Sequence, residues 1–353
     1  MKRFSQRSLL ALVVLWSLTA CSTTTGSPVS TEPESYEKTL PFREGFSLLQ
    51  LNDLEWSSFT DIAHQKDYLT HLISSAKATS NSQILDLILL NGNSFSLADK
   101  TVVKNLLDCL EAFAVPFAFV WGNDDLQGSY RLADLETALK NCPHAVYANP
   151  MDSVTGNSNY EITLRDNGTA RYALYAFDSS GYDLSGVPLR YDNAYIRADQ
   201  VAWLERQASY VGPVPSLGFL SLAPLEFSNA YEGRNYNKMV FEKNGAITTP
   251  SGNSTLLSRI TRLNFKGLFF GQDHANDFVL DLQGLRVGYG VKSGSEKGFA
   301  TSPTQSYLLG GESKSVQILG GSLYTLSASG DFSLDHLYLQ DDGAYTLVKE
   351  RYQ

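Results

Sequence analysis

The chain has 353 residues, 43% of them hydrophobic and 18% charged, which are the proportions of a globular protein with a substantial core rather than of a disordered acidic tail. Its formal charge of -9 argues against a non-specific grip on nucleic acid or on an anionic membrane surface, because both need clustered Lys and Arg. Nucleic acid is therefore not an expected partner.

The first residues carry a signal. Lys2, Arg3 and Arg7 form a basic n-region, Leu9 to Leu18 is an apolar stretch too short to span a bilayer, and small residues follow. Leu18-Thr19-Ala20-Cys21 resembles a bacterial lipobox, which implies acylation of Cys21 and cleavage before it. The expected location is the extracytoplasmic cell envelope, with the protein held to a membrane through lipid on Cys21. Several acyl chains would hold it there, since one chain binds only marginally at roughly 0.8 kcal/mol per buried methylene. Residues 22–45, rich in Ser, Thr, Pro and Glu, lack apolar periodicity and read as a flexible tether. The expected organisation is a signal over 1–21, the tether over 22–45 and one globular domain over 46–353.

From Phe46 to Trp121 short apolar runs alternate with longer amphipathic ones: 46–51, 60–78, 84–90, 97–113 and 117–121. Strands apolar at every position and separated by helices predict βαβ units with a parallel sheet buried on both faces. Ligands in such sheets collect at the carboxyl ends of the strands, where Asp53, Asn93 and Asn123 stand. Further on, 131–140 reads as a helix, 145–147 as a short strand, and Tyr160–Leu164 with Ala170–Phe177 as a hairpin around Asn167-Gly168. A helix over 199–210, a strand over 217–222, a helix over 256–263 and a strand over 268–270 follow. The remainder, with strands near 285–289, 316–319, 323–326, 334–339 and 345–348, suggests a second, mainly antiparallel sheet. Residues 290–306, rich in Gly and Ser, are long enough for a flap near the site. Cys109 and Cys142 have the option of pairing in an oxidising compartment, although Cys109 sits in a helical apolar stripe that also suits a buried thiol.

Four segments end apolar runs with polar side chains: Leu51-Asn52-Asp53-Leu54-Glu55, Leu89-Leu90-Asn91-Gly92-Asn93, Val120-Trp121-Gly122-Asn123-Asp124-Asp125 and Phe270-Gly271-Gln272-Asp273-His274-Ala275-Asn276-Asp277. Their order resembles the calcineurin-like metallophosphoesterase family, whose motifs read DxH, GD(N), GNHD and GHDH. Asp178-Ser179-Ser180-Gly181-Tyr182 and Asp199-Gln200-Val201-Ala202-Trp203-Leu204 look like the DSSGY and DQVAWLE of its secreted, purple-acid-phosphatase-like branch. Phe219-Leu220-Ser221-Leu222-Ala223-Pro224-Leu225-Glu226-Phe227 keeps the frame of FFHIPLPEF with Ser221 at the histidine.

The resemblance implies an α/β fold, a four-layer αββα sandwich of two mixed β-sheets flanked by helices. It also implies two metal ions held by Asp, His and Asn side chains, which activate a water and neutralise the departing oxygen of a phosphate ester. Several implied ligands are altered. Asp53 stands at the first motif's Asp, and Glu55 replaces its His. Asn93 takes the place of the bridging Asp, where a neutral amide with one good ligating oxygen is a poor tether for two cations. Asn123 matches a metal-binding Asn. Asp124 replaces the catalytic His, where it would act as an acid only if burial raised its pKa. Ser221 and Gln272 replace two histidines, while His274 survives.

One implied site thus retains Asp53, Glu55, Asn93 and His274, enough for one divalent ion of unspecified identity. The other would have only the neutral donors Asn93, Asn123, Ser221 and Gln272. Either one ion binds the first set, or its members are polar groups joined by hydrogen bonds without a metal. The expectation is a membrane-anchored protein with a catalytically impaired phosphoesterase domain, a pseudoenzyme that binds a phosphate-containing ligand or a protein. The alternative is an active phosphatase with a single or altered metal site.

Overall fold

The computed structural model describes residues 36–349 apart from 126, 128, 151–153, 180–193, 242, 248, 251, 295–303, 310–311 and 341–342. The stretch read as a signal, Cys21 and most of the loop read as a flap lie outside the described residues.

Pairing begins inside the stretch read as a tether. Strand β1 (Glu37–Pro41) lies parallel to β5 (Tyr160–Asp166), with Lys38 opposite Ile162, and Arg165 bonds Glu37 at 2.7 Å. The sequence EKTLP hides this strand because an edge strand has one neighbour and tolerates charge and proline.

The next strands are β2 (Phe46–Leu51), β3 (Leu87–Asn91) and β4 (Phe117–Val120), each buried at every position and paired in parallel in that order. Helix α1 (Ile62–Thr79) joins the first two, and Asp61 caps it by accepting from the amides of Ala63 and His64. It buries Leu69, Leu72, Ile73 and Ala76, the spacing of one helical face. Helix α2 (Lys100–Glu111) joins the next pair, is capped by Asp99 in the same way, and buries Val102, Val103, Leu106, Leu107 and Leu110. Helix α3 (Leu132–Lys140) follows β4, and the short strand expected at 145–147 reduces to a bridge between Ala145 and Phe117.

Strand β6 (Thr169–Phe177) closes the hairpin with β5 across Asn167-Gly168. Then come α4 (Ala198–Val211), β7 (Ser216–Leu220), α5 (Leu225–Glu232), β8 (Lys238–Val240), α6 (Leu256–Ile260) and β9 (Phe265–Phe270), followed by β10 (Val279–Leu282) and β11 (Leu285–Tyr289). The chain ends with β12 (Thr304–Leu309), β13 (Glu312–Leu326), β14 (Phe332–Gln340) and β15 (Tyr345–Lys349).

The tail does not make a sheet of its own, as the alternating pattern suggests. Strands β10 and β11 complete an eight-stranded sheet in the order β1-β5-β6-β7-β9-β11-β10-β8. Strand β13 instead pairs antiparallel with β2 and completes the other sheet, β15-β14-β13-β2-β3-β4 with β12 beyond. The reason lies in β2: buried on both faces, it needs a hydrogen-bonding neighbour on each edge. The two runs 316–319 and 323–326 belong to this one strand, interrupted by an irregularity between Val316 and Gly320 rather than by a turn.

The sheets are mixed, flanked by helices, and packed face to face. Tyr324 of β13 meets Phe219 and Phe269 of the other sheet, with ring centroids 5.9 and 4.9 Å away. The Tyr160 hydroxyl donates to the Phe119 carbonyl at 2.8 Å and accepts from its amide at 3.1 Å, tying β5 to β4 across the interior. Helices α4, α5 and α6 cover the outer face of the larger sheet, where Trp203, Phe227 and Ile260 share a core with Phe177, Phe270 and Tyr289. Tyr289 is therefore a core residue. Cys109 and Cys142 are both free thiols.

Candidate functional site

Five strands deliver the motif residues to one place. Asp53 follows β2, Asn93 follows β3, Asn123 follows β4, Ser221 follows β7 and Gln272 follows β9. The loops are stitched together by their backbones. Asp53 N–H donates to Gly92 O at 3.1 Å, Glu55 N–H to Asn93 O at 2.9 Å, Gly92 N–H to Val120 O at 2.8 Å, and Gly271 N–H to Ser221 O at 3.0 Å. Two glycines permit this approach. A Cβ on Gly92, whose φ is +85°, would lie 2.5 Å from Ser221 Oγ, and one on Gly122 would lie 2.1 Å from Asn93 Oδ1. Their role is close packing of loops.

The backbone here is strained. Asp53, Glu55, Asn93 and Gln272 have φ of 48°, 53°, 44° and 66°, a left-handed conformation that costs a side-chain-bearing residue about 1 kcal/mol or more. Such strain at four residues of one crevice is held by the stitching, and it fixes where each side chain leaves the chain.

The side chains form a closed network. Asn93 Nδ2 donates to Asp53 Oδ1 at 3.1 Å and to Gln272 Oε1 at 2.8 Å, while Asn93 Oδ1 accepts from the Asp124 amide at 3.0 Å. Asp53 Oδ2 accepts from the Gln272 amide at 2.9 Å. Burial pushes the Asp53 carboxyl well above the usual range; the charges of Lys292 and Glu55 pull it in opposite directions, and its hydrogen bonds partly offset the burial. Asn123 Nδ2 donates to Asp124 Oδ1 at 2.6 Å, and Gln127 does so at 2.8 Å. Asn123 Oδ1 and Ser221 Oγ are buried and have no hydrogen-bond partner among the described residues.

A residue that sequence reasoning missed completes the crevice. Lys292, with 3% of its side chain exposed, donates from Nζ to Glu55 Oε2 at 2.6 Å and to the Asp53 carbonyl at 3.2 Å. His274 Nε2 lies 3.5 Å from the other oxygen of Glu55. Lys292 arrives by backbone pairing: it bridges Asn52, Ser293 N–H donates to Asn52 O at 2.7 Å, and Gly294 N–H to Asp53 O at 3.1 Å. The only local signal was a lone Lys after the apolar run of β11.

As placed here, the donors do not fit a pair of divalent ions. Asn93 presents N–H groups, not a bridging carboxylate, to Asp53 and Gln272. Glu55 is already engaged by an ammonium. The second set offers hydroxyl and amide oxygens without charge, and two of them, Ser221 Oγ and Asn123 Oδ1, are the unpartnered atoms. Among the described residues, no three His, Cys, Asp or Glu side chains converge so as to hold a metal.

Neighbouring acids brace the loops. Asp125 accepts from the amides of Phe95 and Gly122, both at 2.8 Å, and burial raises it to about 7 despite these bonds. Asp273 accepts from the Ala275 and Asn276 amides at 2.9 and 2.8 Å and so shapes its own turn. His336, which lacks a partner at useful sequence spacing, is wholly buried against Tyr338 and 3.6 Å from Asp277.

No family model matches the chain. It is 24% identical over 282 residues to "Probable inactive purple acid phosphatase 29" of Arabidopsis thaliana, covering 69% of this chain and 71% of that one. It is 23% identical over 287 residues to "Probable inactive purple acid phosphatase 14" of the same plant, covering 70% of each. Among solved structures it resembles a dimetal phosphatase from Danio rerio, with a TM-score of 0.54 and 11% identity over 88% of this chain and all of that one. That likeness shows the fold, two mixed sheets flanked by helices.

Burial, with the charge of Lys292 added, holds the His274 imidazole down to about 4. An unfolded histidine takes up its proton near pH 6.5, so from pH 6.5 to about 4 the unfolded chain binds more protons and stability falls as pH falls. His274→Gln is predicted to remove this contribution. The stability lost between pH 7 and 4.5, read from urea unfolding, should shrink by about 2 kcal/mol after allowance for partial exposure. Equal losses in both proteins would contradict a buried neutral imidazole.

Proposed function

We propose that this chain is a purple-acid-phosphatase-like member of the metallophosphoesterase family in which hydrolysis has been lost and the crevice, or the surface around it, binds a phosphate-containing ligand or a protein. The observation that carries this reading is the amide of Asn93, which donates hydrogen bonds where the family's bridging carboxylate would ligate two ions. Without two ions there is no pair to lower the pKa of a shared water and to neutralise the leaving oxygen. The two plant relatives named as inactive support it.

A second reading, a hydrolase with a single or altered metal site, is favoured by Asp124. Burial and the nearby Glu55 raise its carboxyl above the usual range, so that it could serve as an acid. Elemental analysis separates the two: one equivalent of a divalent ion supports the hydrolase and none removes it.

The direct test is turnover of aryl phosphates and nucleotide phosphates with added manganese, zinc, iron or calcium. No rate above background is expected. A rate abolished by Asp53→Ala would overturn the proposal. The anchor on Cys21 belongs to the same proposal. Cys21→Ser should move the protein from the membrane pellet to the soluble fraction, and an unchanged pellet fraction would contradict it.

A further inference from the structure

The inference concerns the charge of the crevice, not its turnover, and rests on the assignment of Asp53 and Glu55 to the altered metal motifs. Two carboxylates at consecutive turns of one strand end, both buried, repel each other and are costly to desolvate. In a metal-binding relative of this fold the compensating charge would come from bound ions. Here Lys292 reaches both residues at once, the side chain of Glu55 at 2.6 Å and the main chain of Asp53 at 3.2 Å.

The backbone that carries the ammonium is bonded on both sides. It is fixed on one side by the pairing of residues 292–294 with Asn52 and Asp53, and on the other by Gly320 N–H, which donates to Lys292 O at 2.7 Å. Gly320 sits at the irregularity in β13, and a Cβ there would fall 1.8 Å from the Leu337 carbonyl, so the irregularity that turns its amide toward Lys292 also requires the glycine. Glu55 fits the same logic. A histidine at that position would serve as a neutral ligand to a metal but would place no anion opposite an ammonium, whereas a glutamate supplies that anion. The neutral Asn93, Ser221 and Gln272 then complete a set whose negative charge suits one monovalent cation rather than two divalent ones.

We propose that Lys292 is a covalently tethered replacement for the metal, an internal cation that holds the Asp53–Glu55 loop in place and closes the crevice to divalent ions. The wild-type protein is thereby blind to divalent ions.

Thermal unfolding of the full chain, in EDTA and separately in millimolar manganese or zinc, tests this with wild type, Lys292→Met, Glu55→Gln and the double variant. The wild type should melt within about 1 °C in all conditions. Lys292→Met should melt on the order of 10 °C lower in every condition, because it leaves a buried carboxylate alone. The double variant, with a neutral pair, should recover more than half of the loss of either single change. Metal that raises the wild-type melting temperature by several degrees would overturn the proposal, as would losses that simply add in the double variant. Should Lys292→Met fold in neither condition, the double variant decides: a folded protein supports the proposal and an unfolded one sinks it. Turnover by the wild type would end the reading of lost hydrolysis, whereas only the melting series bears on Lys292.

Discussion

The ion pair between Lys292 and Glu55 lies at the point where three separate stretches of chain meet, and the arrangement of the crevice depends on it. Burying an ionised carboxylate alone is prohibitive, and burying two side by side is worse. An ammonium against Glu55 and the Asp53 carbonyl does not add much net stability, since its own desolvation offsets most of the attraction, but its removal leaves a charge with no compensation. The pair therefore acts as a constraint: the loop after β2 can take its strained course only while the segment after β11 is docked against it.

Around that constraint the loops after β2, β3, β4, β7 and β9 converge, Asp125 braces the turn after β4, and the backbone at Asp53, Glu55, Asn93 and Gln272 is left-handed. Asn93 donates toward its neighbours, so the polar groups of the crevice face one another. Asn123 Oδ1 and Ser221 Oγ are buried beside this network without a hydrogen-bond partner among the described residues.

Much of this was legible in the sequence, for identifiable reasons. Strands β2 to β4 are apolar at every position, and the helices between them carry one buried face each, so the βαβ core and the convergence of Asp53, Asn93 and Asn123 follow from periodicity. The edge strand β1 was not legible, because nothing in a charged pentapeptide with a terminal proline marks a strand. The continuity of β13 was hidden by Gly320-Gly321, which reads as a turn but accommodates an irregular register. Lys292 was the least legible of all. Its partner is 237 residues away in the chain, and only the fold brings them together.

Crystals grown or soaked in manganese, with anomalous scattering recorded, test the central account most directly. The account predicts no anomalous peak among Asp53, Asn93 and His274, with the Lys292 ammonium resting on Glu55. Two peaks straddling Asn93, with Lys292 displaced from Glu55, would contradict it.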